Sequence, residues 1–268
     1  MARPLSAAVP TAAPPWTWAV LGAALGLLLA VLLFAPARWA AAAVANATSG
    51  RLLLENARGT IWNGSARMVL TGGSGSRDAA ALPTRLEWRL TPAPGGFGLR
   101  VASACCTTEP IALALSPRWG GAAVRVTNGA PSQWPASLLV GLGTPWNTLD
   151  LEGDLRLSTQ DLAVSWTDGR VQMDGRADLA AMRLGSRLTT LRPMGSYQLS
   201  LIGGPAPSLR LSTLPDSSLQ LSGTGNWVGS RLRFNGEASA APEREAALAN
   251  LLNIIGRRQG SRSVITIG

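Results

Sequence analysis

The side chains that most often do chemistry are scarce in this chain of 268 residues. There is no histidine, and all 24 basic residues are arginine. Without histidine, no Ser-His-Asp or Cys-His arrangement can form, and no imidazole can ligate a metal. Three acidic residues, Asp150, Glu152 and Asp154, stand at alternate positions, which on a strand places them on one face. They allow an oxygen-ligand cation site or a solvated strand face. A divalent site usually draws converging ligands from a loop, so the solvated face is the cheaper account. Cys105 and Cys106 are adjacent. A bridge between them would close no useful loop, so they read as two incidental thiols in a loop. The run TGGSGSRD, residues 71–78, lacks the lysine of a phosphate loop and reads as a hairpin loop. No catalytic, cofactor or metal residues are assigned, and the chain is not expected to be an enzyme.

The formal net charge is +9. The arginines are scattered singly through alternating segments and form no basic run, so they suit a wet sheet face, and no nucleic-acid partner is expected. With abundant Ala, Gly and Pro, the all-arginine bias matches a GC-rich coding sequence.

The elements that must position these residues begin with an apolar run, Ala19 to Ala35, flanked by Trp16 and Trp18 before it and Pro36, Arg38 and Trp39 after it. As a helix, residues 16–36 would span about 30 Å, the thickness of a bilayer core. Tryptophans at both margins suit the headgroup region. Gly22 and Gly26 would permit close helix approach. A cleaved signal peptide is the competing reading, with small residues at 40–47 offering cleavage positions. The organisation expected is a cytoplasmic tail over 1–15, an anchor over 16–36, a linker over 37–50, of which Ala37 to Asn46 reads as a helical continuation or linker, and a periplasmic β-rich domain over 51–268.

Beyond the linker the hydrophobic period changes to two. Leu149, Leu151, Gly153, Leu155 and Leu157 alternate with polar residues, as do Leu86, Trp88 and Leu90. Similar pairs recur at 111–115, 124–126, 171–173, 199–201, 209–211, 219–221 and 232–234 without intervening helices. This predicts antiparallel meanders, in a curved open sheet or a sandwich. Two segments read as helical or turn-like, Pro131 to Leu142 and Pro242 to Ile255. Gly256 is placed to end the second, and a final strand covers Ser263 to Ile267. An internal echo aligns Trp166, Gly175 and Ala177 with Trp227, Gly236 and Ala238, with a weaker copy at Trp62-Asn-Gly64; each reads as a hairpin.

The segment Gly59, Thr60, Trp62 and Gly64, followed by Leu82, Pro83, Trp88, Arg89, Leu90 and Pro92, and then the closing stretch 251–268 with Gly256, resembles the protein N family of the type II secretion system. The resemblance extends over nearly the whole chain and rests on the order of these short motifs. It implies an accessory inner-membrane component supporting export of folded periplasmic proteins across the outer membrane. It implies other inner-membrane subunits as partners and no cofactor, with the motif Trp and Gly positions serving architecture. The alternative is a periplasmic lipid-handling module with an apolar groove, since hairpins of this kind can build a curved sheet with one greasy face.

Overall fold

The structure, a computed structural model, describes residues 16–229 and 231–268; the expected cytoplasmic tail with Arg3 lies outside the described residues. Two compact units divide between Ala35 and Pro36. The first contains α1 (Trp16–Phe34), a helix with no buried residue that is long and apolar enough to cross a bilayer. A signal sequence would meet the same length and composition.

The second unit opens with α2 (Ala37–Ala47), in the stretch that reads as a helical continuation or linker. It continues through β1 (Leu52–Gly59), β2 (Asn63–Thr71), β3 (Ala79–Ala81), β4 (Leu86–Ala93), β5 (Gly96–Ser103), β6 (Ile111–Arg118) and β7 (Gly121–Val126). After β8 (Ser132–Pro135), a 3₁₀ turn (Ala136–Leu142) and the short α3 (Trp146–Leu149) come β9 (Leu151–Thr167) and β10 (Arg170–Ser186). The chain ends with β11 (Gly195–Ile202), β12 (Ser208–Thr213), β13 (Leu219–Val228), β14 (Arg231–Ala240), α4 (Glu245–Ile255), β15 (Arg257–Gln259) and β16 (Arg262–Ile267).

All sixteen strands join one antiparallel sheet in the order β1-β2-β4-β5-β6-β7-β9-β10-β11-β12-β13-β14-β16-β15, with β3 paired to β2 and β8 to β9. The sheet stays open, with β1 and β15 at its two ends; among the described residues there is no second sheet, so the sandwich alternative falls away. The expected alternation is what holds the sheet to one register. Leu157, Leu179, Leu199 and Leu211 stand in one cross-strand row, and Phe97, Leu115, Val124 and Val164 in another. A slip of one residue would turn each of these apolar sets to the polar face.

Because the sheet is a meander, its connections fall at two ends. The longer connections, with the 3₁₀ turn, α3 and α4, gather at one end and build the main core. There Leu248, Leu251 and Leu252 of α4 pack with Leu155, Leu184, Met194, Tyr197, Leu219 and Ala238. Each such buried leucine contributes roughly 1.5–3 kcal/mol. Polar groups beneath the helix are satisfied: Ser263 Oγ donates to the Leu252 carbonyl, Thr189 Oγ to that of Ala247, and the Tyr197 hydroxyl to that of Leu219. Tight hairpin turns occupy the other end.

Several local expectations shift. The strand expected from Leu149 starts at Leu151, because Asp150 takes the left-handed conformation (φ 45°) and caps α3. Residues 131–142 divide into β8 and the 3₁₀ turn. The last helix starts at Glu245, not Pro242, since Glu243 at φ 64° interrupts helical geometry. Gly256 does not act as a left-handed cap: its φ is −169°, and a Cβ there would lie 2.6 Å from the Val264 carbonyl oxygen, so it is required by close approach. The cysteines are not two free thiols: Cys105 and Cys106 form a disulfide in the β5–β6 connection. Cys106 is buried against Leu82 and Leu138, so its packing is the larger structural contribution.

On the polar face Asp178 is held by Arg176, Ser200 and Gln198. Burial opposes its ionisation, but the hydrogen bonds from these three, with the guanidinium charge, outweigh that and lower its pKa below the ordinary 3.8. The ionised carboxylate therefore stabilises the fold above the unfolded value, and this contribution is lost as pH falls through the lower folded value. Denaturant melts across pH are expected to show Asp178→Asn less stable than wild type at pH 7, with a shallower loss below about pH 4. Equal acid limbs would show the network to be inert.

Candidate functional site

Four of the residues that the resemblance singles out, Gly59, Thr60, Trp62 and Gly64, lie with Trp88 at one corner of the sheet. Gly59 ends β1 at φ +86°, and Thr60 closes the β1–β2 turn: its Oγ accepts the Asn63 amide at 3.1 Å and its own amide donates to the Asn63 carbonyl at 2.9 Å. Trp62 sits within this turn, its ring 6.1 Å from that of Phe97, and its carbonyl accepts the Leu90 amide. In the next register position Gly64 lies opposite Trp88.

That pairing is steric. A Cβ on Gly64 would lie 2.5 Å from Trp88 Cζ2 and 2.8 Å from the Arg58 carbonyl oxygen. The missing side chain is the space the indole fills. Trp88 is 7% exposed, and its Nε1 donates to the Ile61 carbonyl at 3.1 Å, so its one polar atom is satisfied in burial. Around it gather Ala66, Leu54, Ala57, Leu99, Val101 and, from the first turn of α2, Ala37, which is 1% exposed. Pro36 forms an isolated bridge with Thr60. The motif therefore builds a small core that seats the start of α2 on the β1–β2 hairpin.

The remaining motif positions are dispersed. Leu82 is buried in a separate cluster with Cys106 and Leu138, and its amide donates to the Met68 carbonyl. Pro83, Arg89 and Pro92 are exposed, and Gly256 lies beyond α4 at the opposite end of the sheet. The acidic trio does not converge either. Asp150, Glu152 and Asp154 face Arg187, Arg192 and Arg183 at 3.7, 3.2 and 3.4 Å. Each is a partly exposed ion pair, the kind of contact that contributes little.

The role of Ala37 in the Trp88 core was not legible, because an alanine-rich helix start carries no signal of what it packs against. The internal echo is legible as hairpins: Trp166 pairs with Val171 and Trp227 with Leu232, each tryptophan two residues before its hairpin turn. Its glycines are not equivalent, since Gly175 has φ +81° at a bulge and Gly236 lies in regular strand. In the third copy, Trp62 belongs to the turn itself.

Gly64→Ala is expected to destabilise the second unit by about 1–3 kcal/mol through overpacking. Trp88→Ala should cost about 3–5 kcal/mol, while exposed Arg89→Ala should stay within about 0.5 kcal/mol. Urea melts of the detergent-extracted chain followed by circular dichroism would measure all three; an inert Gly64→Ala would contradict the steric pairing.

Neither the curated proteins nor the solved structures compared with this chain give a match. One family model does: the model for protein N of the type II secretion system matches residues 50–266, which takes in β1 to β15, all but the last residue of β16 and the whole Trp88 motif, and leaves α1 and α2 outside the match. With more than half of its length so matched, the chain belongs to the type II secretion system protein N family.

Proposed function

We propose that the chain is an accessory, single-pass inner-membrane component of the type II secretion pathway that supports export of folded periplasmic proteins across the outer membrane. On this reading α1 is an uncleaved anchor, residues 1–15 lie in the cytoplasm and residues 51–268 form the periplasmic domain. The family match over residues 50–266 carries the proposal. The apolar character of α1, with Trp16 and Trp18 at its start, supports the anchor. The role is structural, a scaffold that docks to other inner-membrane subunits, with no cofactor and no catalysis.

The open sheet supplies a means of docking. Its two ends carry unpaired backbone groups that a partner strand can complete. The β15 end is three exposed residues, two of them arginine, a poor template for strand addition. The β1 end is longer, eight residues interrupted by an irregularity between Glu55 and Arg58.

One observation favours lipid handling as a second reading. The apolar face continues across the middle of the sheet through Leu113, Leu115, Val124, Val126, Val164 and Met173, all half-buried and outside the three buried clusters. Such a face offers room for acyl chains. Affinity purification of the full chain in mild detergent, with mass spectrometry of proteins and lipids, separates the readings. Co-purified secretion subunits without stoichiometric lipid are expected. Bound phospholipid without those subunits would move the function to the apolar face, and recovery of the chain alone would contradict both.

A further inference from the structure

The hairpin-turn end of the sheet carries an unusual surface. Its turns include those of β4–β5, β6–β7, β9–β10 and β13–β14, and the β1–β2 turn that Pro36 bridges. Most of the exposed large apolar side chains of the second unit sit here: Phe97, Trp119, Trp166, Val171, Ile202 and Val228. Register determines which turns reach furthest. Gly121 lies opposite Thr167, so the β6–β7 and β9–β10 turns end level, and the Asp168 amide donates to the Gly120 carbonyl between them. Ile202 lies opposite Arg176, and in the β11–β12 connection the Gly204 amide still donates to the Met173 carbonyl, three positions back from Arg170, so the paired turns project about 10 Å past that pairing at 3.3 Å per residue.

The projecting pair presents Trp119, fully exposed, with Trp166 and Val171 at 43% and 63% exposure, flanked by Arg118 and Arg170. Among the described residues none of these arginines has an ion-pair partner in the salt bridges formed, and Asp168 is the one carboxylate in either turn. Tryptophan with arginine is the composition that settles at a bilayer surface. The indole prefers the headgroup level, while guanidinium pairs with phosphate. The chain enters the second unit at this same end, at Pro36, two positions after the last residue of α1. If α1 spans a bilayer, Pro36 is within two residues of its end, and the β1–β2 turn that it bridges shares this end of the strands with the projecting turns.

We propose that the paired β6–β7 and β9–β10 turns contact the membrane surface, with Trp119, Trp166 and Val171 entering the headgroup region and Arg118 and Arg170 binding anionic phospholipid. This rests on the reading of α1 as an anchor. The sheet would then be held at two places, its covalent connection and its projecting turns.

Spin labels on the full chain test this in liposomes of phosphatidylethanolamine and phosphatidylglycerol at three to one. Both native cysteines are consumed in the disulfide, so Trp119→Cys, Thr190→Cys and Leu25→Cys each give one labelled site. Thr190 is exposed in the β10–β11 connection at the opposite end. The label at 119 is expected to show an oxygen-to-nickel accessibility ratio several-fold above that at 190. The ratio should fall when phosphatidylglycerol is replaced by phosphatidylcholine. A label at 119 as aqueous as that at 190, while the one at 25 is within the bilayer, overturns this proposal and spares the anchor. A label at 119 shielded from both reagents overturns it in favour of a protein partner. An aqueous label at 25 overturns the anchor reading, and this proposal with it.

Discussion

The space left by one missing side chain organises the start of the β-unit. Trp88 can lie flat against the sheet only because Gly64, opposite it, has no Cβ, and the indole then forms the floor on which Ala37 packs. A tryptophan brings a large apolar area to a corner where α2, eleven residues and mostly alanine, has little of its own to bury. Its Nε1 bond to the Ile61 carbonyl links that floor to the β1–β2 turn, and the bridge from Pro36 to Thr60 ties the first residue of the unit to the same turn. One pairing thus fixes the hairpin, the helix and the point at which the chain enters the sheet.

From that corner the sheet extends by a largely local rule, most strands returning beside the one before and the short β3, β8 and β15 pairing outside that sequence. The rule leaves two unlike ends. One collects the long connections and receives α4, whose leucines complete the main core. The other collects tight turns, bears exposed tryptophans, and is the end at which the chain enters. Membership of the protein N family gives that architecture its context in type II secretion.

Much of this was legible in the residues. Period-two alternation located the strands because a half-buried sheet imposes that spacing directly on the sequence. It could not distinguish an open sheet from a sandwich, since both bury one strand face. Positions set by backbone conformation were harder to place. Asp150 and Glu243 adopt left-handed φ values that carry no pattern in an acidic residue, and they moved one strand start and one helix start. Gly256 was expected to end the last helix as a turn glycine, but its φ is extended and what excludes a side chain there is the nearby Val264 carbonyl, a contact across the fold. The Cys105–Cys106 bridge and the packing of Ala37 on Trp88 depend likewise on neighbours that local composition does not specify.

Native-state hydrogen exchange on the full chain, comparing wild type with Trp88→Ala, is the most direct test of this central role. Local opening is read from the amides of α2 and of the β1–β2 hairpin. If the indole seats both, their amides are protected to a similar degree in wild type and lose protection together in the variant, while those of β13 and β14 hardly change. Protection of α2 that survives the loss of Trp88 would contradict the account and place the support of this helix elsewhere.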